Sequence, residues 1–183
     1  NCLVNLGRTE AMLFYRDQIP GENYLPNDTI RVYIADVDLE NRRNMISISR
    51  SHIGLLKALF EMEIPEIGDG IIDVMAVSRE AGVRAKVAVR TNNPSIGAVG
   101  TCVGQMGGRI QAIIKELGSE KIDVLEWSED PKVFISHALK PAVVSHVVVT
   151  DEEEKKATIV VAEDQLSLAI GRKGVNVRLA VAL

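Results

Sequence analysis

A chain of 183 residues, 46% hydrophobic and 25% charged, can bury one large core or two or three small ones. No apolar run approaches the roughly 18 residues of a membrane span, so no membrane partner is expected, and a net charge of −4 argues against a polycation that coats nucleic acid without discrimination. Cys2 and Cys102 are the only cysteines and have no C-x-x-C spacing, which predicts no thiolate metal site, no cofactor, and a reducing, cytoplasmic setting.

The chain begins without Met inside an apolar run and reads as a piece of something longer. Residues 1–50 carry short strand signals: 1–6 ending at Gly7, 10–15, 30–34 and 45–49, with a Pro/Gly/Asn-rich connection at 19–28 and a turn at Asn41-Arg42-Arg43-Asn44. Several short strands with turn signals suggest a small barrel. From Ser51, a plausible N-cap, Ile53, Leu56, Leu59, Phe60 and Ile64 recur at helical spacing until Pro65, which predicts a linker helix within 51–68.

Strands follow at 71–77 and 83–91, then a helix at 96–103, the turn Gly104-Gln105-Met106-Gly107, a helix at 109–117 capped by Gly118, and a strand at 122–127. The order then returns. Asp130-Pro131 opens a helix, strands fall at 146–150 and 158–162, and a helix at 165–170 leads to Gly171-Arg172-Lys173-Gly174 and a final helix from Val175. In this second copy no closing strand follows. One Gly-x-x-Gly turn between helices is as plausibly a plain corner as a binding element. Two, each after a strand pair and a domain's length apart, form an internal repeat.

Charge follows the repeat. Residues 79–115 hold Arg79, Arg84, Lys86, Arg90, Arg109 and Lys115 against Glu80 alone, and residues 165–183 hold Arg172, Lys173 and Arg178 with no acid. Acids collect at 116–130 and in Asp151-Glu152-Glu153-Glu154. A helix start leaves backbone N–H groups unpaired and favours a phosphate. Glycines beside it let a sugar-phosphate strand approach, with about four nucleotides per clamp. The clamps therefore predict single-stranded RNA as the partner, with an apolar groove floor from Ile96, Val99 and Val103 in the first copy and Leu166 and Ile170 in the second. Only 4% of residues are aromatic, which disfavours a base-stacking sheet.

Residues 83–127, with Arg84-Ala85-Lys86-Val87-Ala88-Val89 and Gly100-Thr101-Cys102-Val103-Gly104, resemble the first KH domain of the bacterial NusA transcription-factor family. Leu168-Ala169-Ile170-Gly171-Arg172-Lys173-Gly174-Val175-Asn176-Val177-Arg178-Leu179-Ala180 resembles the second, and residues 1–50, with Leu6-Gly7-Arg8-Thr9-Glu10-Ala11 and Ile46-Ser47-Ile48-Ser49-Arg50, resemble the S-one barrel ahead of them. The resemblance implies a multidomain α+β chain: a partial OB-fold β-barrel at 1–50, the linker helix at 51–68, and two tandem type II (prokaryotic) KH domains at 69–128 and 129–183. It further implies a non-enzymatic elongation factor. Such a factor binds single-stranded RNA and acts with RNA polymerase and other Nus factors in pausing, termination and antitermination. A protein-interaction adaptor with little RNA affinity is the alternative. Resemblance and residue chemistry together give the expected RNA contacts: Gly104, Gln105, Met106, Gly107, Gly108, Arg109, Arg84, Lys86, Gly171, Arg172, Lys173, Gly174, Asn176 and Arg178. No nucleotide-phosphate, metalloprotease or serine-hydrolase motif is present.

Overall fold

The computed structural model describes residues 1–39 and 45–183. Strands β1 (Cys2–Asn5) and β2 (Glu10–Leu13) pair antiparallel, from Cys2 opposite Leu13 to Asn5 opposite Glu10. Strands β3 (Tyr33–Asp38) and β4 (Met45–Ser49) form a second antiparallel pair, irregular between Ile34 and Asp36. The expected turn at Asn41–Asn44 lies outside the described residues. Alternation along β2 turns Ala11 and Leu13 inward, where they meet Ile48 and the partly buried Val4, Tyr24 and Val32. Among the described residues the two hairpins share this core but no backbone ladder, so the expected partial barrel does not appear as a closed sheet. Period-two patterning fixes which face of a strand is buried. Closure needs register between every neighbouring edge, which that pattern does not encode.

Helix α1 (Ile53–Glu63) is capped by His52, whose Nδ1 accepts from the Gly54 N–H at 2.9 Å, in place of the expected Ser51. Pro65 ends α1 and stands at the first position of a short helix, α2 (Pro65–Gly68), where its missing N–H costs nothing. Then come β5 (Ile72–Glu80), β6 (Arg84–Thr91), α3 (Ala98–Val103), α4 (Gly108–Glu116) and β7 (Lys121–Glu126). The sheet order is β5-β6-β7, with β6 antiparallel to β5 and parallel to β7. Leu56, Leu59 and Phe60 of α1 pack with Ala85, Val87 and Val89 of β6 and with Cys102, Ile113 and Leu117. The helix expected to link two domains is therefore a wall of this core. At about 1.5–3 kcal/mol for each large apolar side chain buried, it is among the larger contributions to the unit's stability.

Helix α5 (Pro131–Ala138) starts as expected: Asp130 Oδ1 accepts from the Lys132 N–H at 2.8 Å, and Pro131 occupies the first turn. Strands β8 (Val144–Asp151) and β9 (Lys156–Val161) pair antiparallel and precede α6 (Leu166–Ile170) and α7 (Val175–Val181). Helix α7 packs against β5 and β6, where Ser78 Oγ donates to the Leu179 carbonyl at 2.7 Å in a buried contact. Strand β6 is thus covered on both faces. Ala85, Val87 and Val89 face the first core, and the alternate residues Arg84, Lys86 and Ala88 are buried as well.

Candidate nucleic-acid interface

The two Gly-x-x-Gly turns have one geometry. Gly104 and Gly171 adopt φ/ψ of 78/172° and 76/167°, Met106 and Lys173 adopt 52/27° and 53/27°, and Gly107 and Gly174 adopt 76/12° and 74/13°. The backbone bonds match too. Gly104 and Gly171 each donate to the carbonyl four residues back at 2.9 Å, and Gly107 and Gly174 to the one three back at 3.0 Å. Met106 and Lys173 are held in the left-handed region at a cost of about 1–2 kcal/mol each for a residue with a Cβ.

The glycines divide by purpose. A Cβ on Gly104 would lie 2.8 Å from Arg109 Cγ, and one on Gly171 would lie 2.7 Å from both Cβ and N of Asn176. These first glycines let the turn fold against its own helix, a need internal to the protein rather than clearance for a ligand. Gly107 and Gly174 supply positive φ at the helix starts. Gly108 has helical dihedrals and nothing within 4 Å of an added Cβ, so the fold itself does not require a glycine there.

Gln105, Met106, Arg172 and Lys173 are exposed, Met106 at 99%. A cleft of about 580 Å³ lies over the first turn, lined by Gly100, Thr101, Gly104, Gln105, Gly108 and Arg109. Unlike α1 and α5, neither α4 nor α7 has a side chain capping its first N–H groups, and neither has an acid in its first turn.

Arg109 sits at the edge of the cleft with Nη1 donating to Glu66 Oε2 at 2.8 Å and to the Thr101 carbonyl at 3.0 Å. The Glu66 carboxyl is held below its ordinary pKa by its own backbone N–H and by Arg109. Arg178 donates to Glu80 at 2.8 and 3.1 Å and, through Nη1, to the Lys173 carbonyl of the second turn.

Arg84, Lys86 and Asn176 face inward, contrary to expectation. Lys86 is fully buried, with Nζ donating to Asp123 Oδ2 at 3.1 Å and to the Lys140 carbonyl at 2.9 Å. Burial pushes its ammonium below the ordinary lysine pKa, and Asp123 offsets part of that. Arg84 Nε donates to the same Asp123 oxygen at 2.6 Å. Asn176 is fully buried, and its Nδ2 bonds the carbonyls of Leu139, Leu168 and Ala169. Arg79, counted among the positive charges near the first turn, forms a bidentate pair with Glu120 in which both side chains are wholly buried. Half of the basic residues expected round the first turn, Arg79, Arg84 and Lys86, are internal, whereas Arg172 and Lys173 at the second are exposed. In the first copy Ile96, Val99 and Val103 pack against the core, while Leu166 and Ile170 of the second are about half exposed.

Gly100 and Thr101 line the cleft, although the sequence marks them only as part of the family resemblance and not as expected contacts. The available signal was a run of small residues, Gly97, Gly100 and Gly104, one turn apart on α3 and its ends. Among the described residues no cluster of three metal-ligating side chains occurs, and no helix is long and apolar enough to cross a membrane.

Two successive strand–strand–helix–helix units, each with this glycine turn between its last two helices, define a tandem KH protein. The family model for the NusA-like first KH domain matches residues 50–127, and that for the NusA-like second KH domain matches 131–183. The transcription termination/antitermination protein NusA of Bacillus subtilis is 51% identical over 180 residues, covering 98% of this chain and 48% of that protein. Its namesake in Thermus thermophilus is 48% identical over 183 residues, covering 100% of this chain and 47% of its own length. The crystal structure of APE1850 superposes with a TM-score of 0.51 at 23% identity, over 68% of this chain and 85% of that one, a likeness of fold alone. The chain belongs to the NusA-like KH family, and it spans about half the length of the curated relatives it matches.

Proposed function

We propose that this chain is the RNA-binding region of a transcription elongation factor, holding single-stranded RNA at its two glycine turns. The relatives are named transcription termination/antitermination proteins. By that kinship the whole factor works with RNA polymerase and other Nus factors in pausing, termination and antitermination, in the cytoplasm and without catalysis. The amino-terminal hairpins serve as an incomplete S-one barrel, and the two KH domains are of the prokaryotic type. The observation that supports RNA binding best is the duplicated turn: same left-handed residues, same backbone bonds, exposed tips, and uncapped helix starts beyond. An RNA phosphate supplies the missing cap. The contacts are Gly104, Gln105, Met106, Gly107, Gly108 and Arg109 at the first turn, and Gly171, Arg172, Lys173, Gly174 and Arg178 at the second. Arg84, Lys86 and Asn176 are left out because they are buried inside the protein.

Gly108→Asp tests this without disturbing the fold. The site has open space and helical dihedrals, and an acid in the first turn of a helix stabilises it by about 0.3–1 kcal/mol. The same charge occupies the phosphate position. The expected result is an RNA Kd at least about tenfold higher, a loss of about 1.4 kcal/mol, with a melting temperature equal to or above the parent's. Unchanged RNA affinity overturns the proposal for the first turn.

A further inference from the structure

Lys86 is a buried ammonium that RNA binding does not use, and it is placed where the two domains meet. Arg84 and Lys86 put two cations on one carboxylate, Asp123 of β7. The cluster therefore carries an excess positive charge inside the protein. The second domain answers with the turn that follows α5, where the Lys140 carbonyl accepts from Lys86 Nζ at 2.9 Å. The adjacent carbonyl, Leu139 O, accepts from Asn176 Nδ2 at 3.0 Å. Asn176 lies two residues beyond the last glycine of the second turn and also bonds Leu168 O and Ala169 O, in the helix that leads into that turn. Two neighbouring carbonyls just beyond α5 thus connect the first domain's sheet to the second clamp. Strand β5 also reaches the second domain, through Ser78 at the Leu179 carbonyl and Glu80 at Arg178, but within this cluster Lys86 is the member that crosses, because Asp123 accepts and Arg84 donates within its own sheet.

We propose that Lys86 is a positioning residue that sets the span between the two RNA clamps. This rests on the RNA reading above. A single strand that occupies both turns then fits best at one separation, and the second contact gains from a high effective concentration. Lys86→Met removes the bond to Lys140 O, leaves the Arg84–Asp123 pair electrically balanced, and fills similar space.

The test uses the 183-residue chain and RNAs with two randomised segments of about four nucleotides joined by polyethylene glycol spacers of increasing length. The parent is expected to bind one spacer length at least about tenfold more tightly than a single segment. Lys86→Met is expected to keep the single-segment Kd while the preference for one spacer length falls, the Ser78–Leu179 and Glu80–Arg178 bonds holding the remainder. Lys86→Gln, which retains a shorter donor, is expected to fall between, and it carries the comparison alone if the Met variant does not fold. A spacer optimum unchanged in the variants overturns the inference, as does a parent that binds single segments with no spacer preference. A parent that binds neither kind of RNA overturns the RNA reading, and the inference with it.

Discussion

Gly104 and Gly171 hold φ/ψ values that belong to glycine almost alone, and a Cβ at either would strike the residue five positions on. Gly104→Ala and Gly171→Ala are therefore expected to lower stability by about 1–3 kcal/mol in urea unfolding, whether or not RNA is present. Loss of RNA binding in those two variants reports a damaged turn. Loss in Gly108→Asp reports a blocked phosphate position, because nothing in the protein needs Gly108 to lack a side chain. The motif itself was plain in the sequence. The different reasons for its glycines were not, since they depend on what lies within 3 Å of a missing atom.

At the scale of elements, helix and strand positions followed from periodicity, and the shifts have local causes. His52 takes the cap that Ser51 was expected to take, because the Ser49 hydroxyl holds the N–H groups of Ser51 and His52. Strand β6 misled more seriously. Its basic alternate residues look like a solvated face, but a second domain covers that face, and a single strand's pattern does not announce a partner from elsewhere in the chain. Arg50, at the end of β4, was read only as part of the family resemblance. With 4% of its side chain exposed, it bonds Glu22 at 2.6 and 2.8 Å, Glu116 Oε1 at 3.2 Å and the Glu116 carbonyl at 2.9 Å, joining the hairpins to the end of α4. Arg50→Ala is expected to destabilise the chain by about 1.5–3 kcal/mol, measured by urea unfolding, because it removes the buried cation shared by the partly buried Glu22 and Glu116 carboxylates. Burial alone would raise the Glu22 pKa, but its bonds to Arg50 and Tyr24 outweigh that and hold it below the ordinary glutamate value. A depressed carboxylate contributes stability above its unfolded value and loses it as pH falls through its folded value. Stability should therefore decline below about pH 4.5, and Glu22→Gln should reduce that decline in thermal melts across acid pH.

Over the whole molecule, a net charge of −4 is compatible with the two proposed phosphate sites because the acidic runs at 116–130 and 151–154 lie apart from the turns in sequence, and the nearer Glu66 and Glu80 are paired with Arg109 and Arg178. The duplicated order of elements made the paired architecture legible, while the way the domains dock, through Lys86, Ser78 and Arg178, left no periodic trace. The two clamps differ in kind. The first offers backbone N–H groups and a neutral Gln105-Met106 tip, and the second adds the exposed Arg172 and Lys173. The salt dependence of RNA affinity tests the shared claim that phosphates are what both turns hold. With about five phosphates neutralised on a single strand, a plot of log affinity against log salt concentration should be linear with a slope near −3.5. A slope near zero would contradict it.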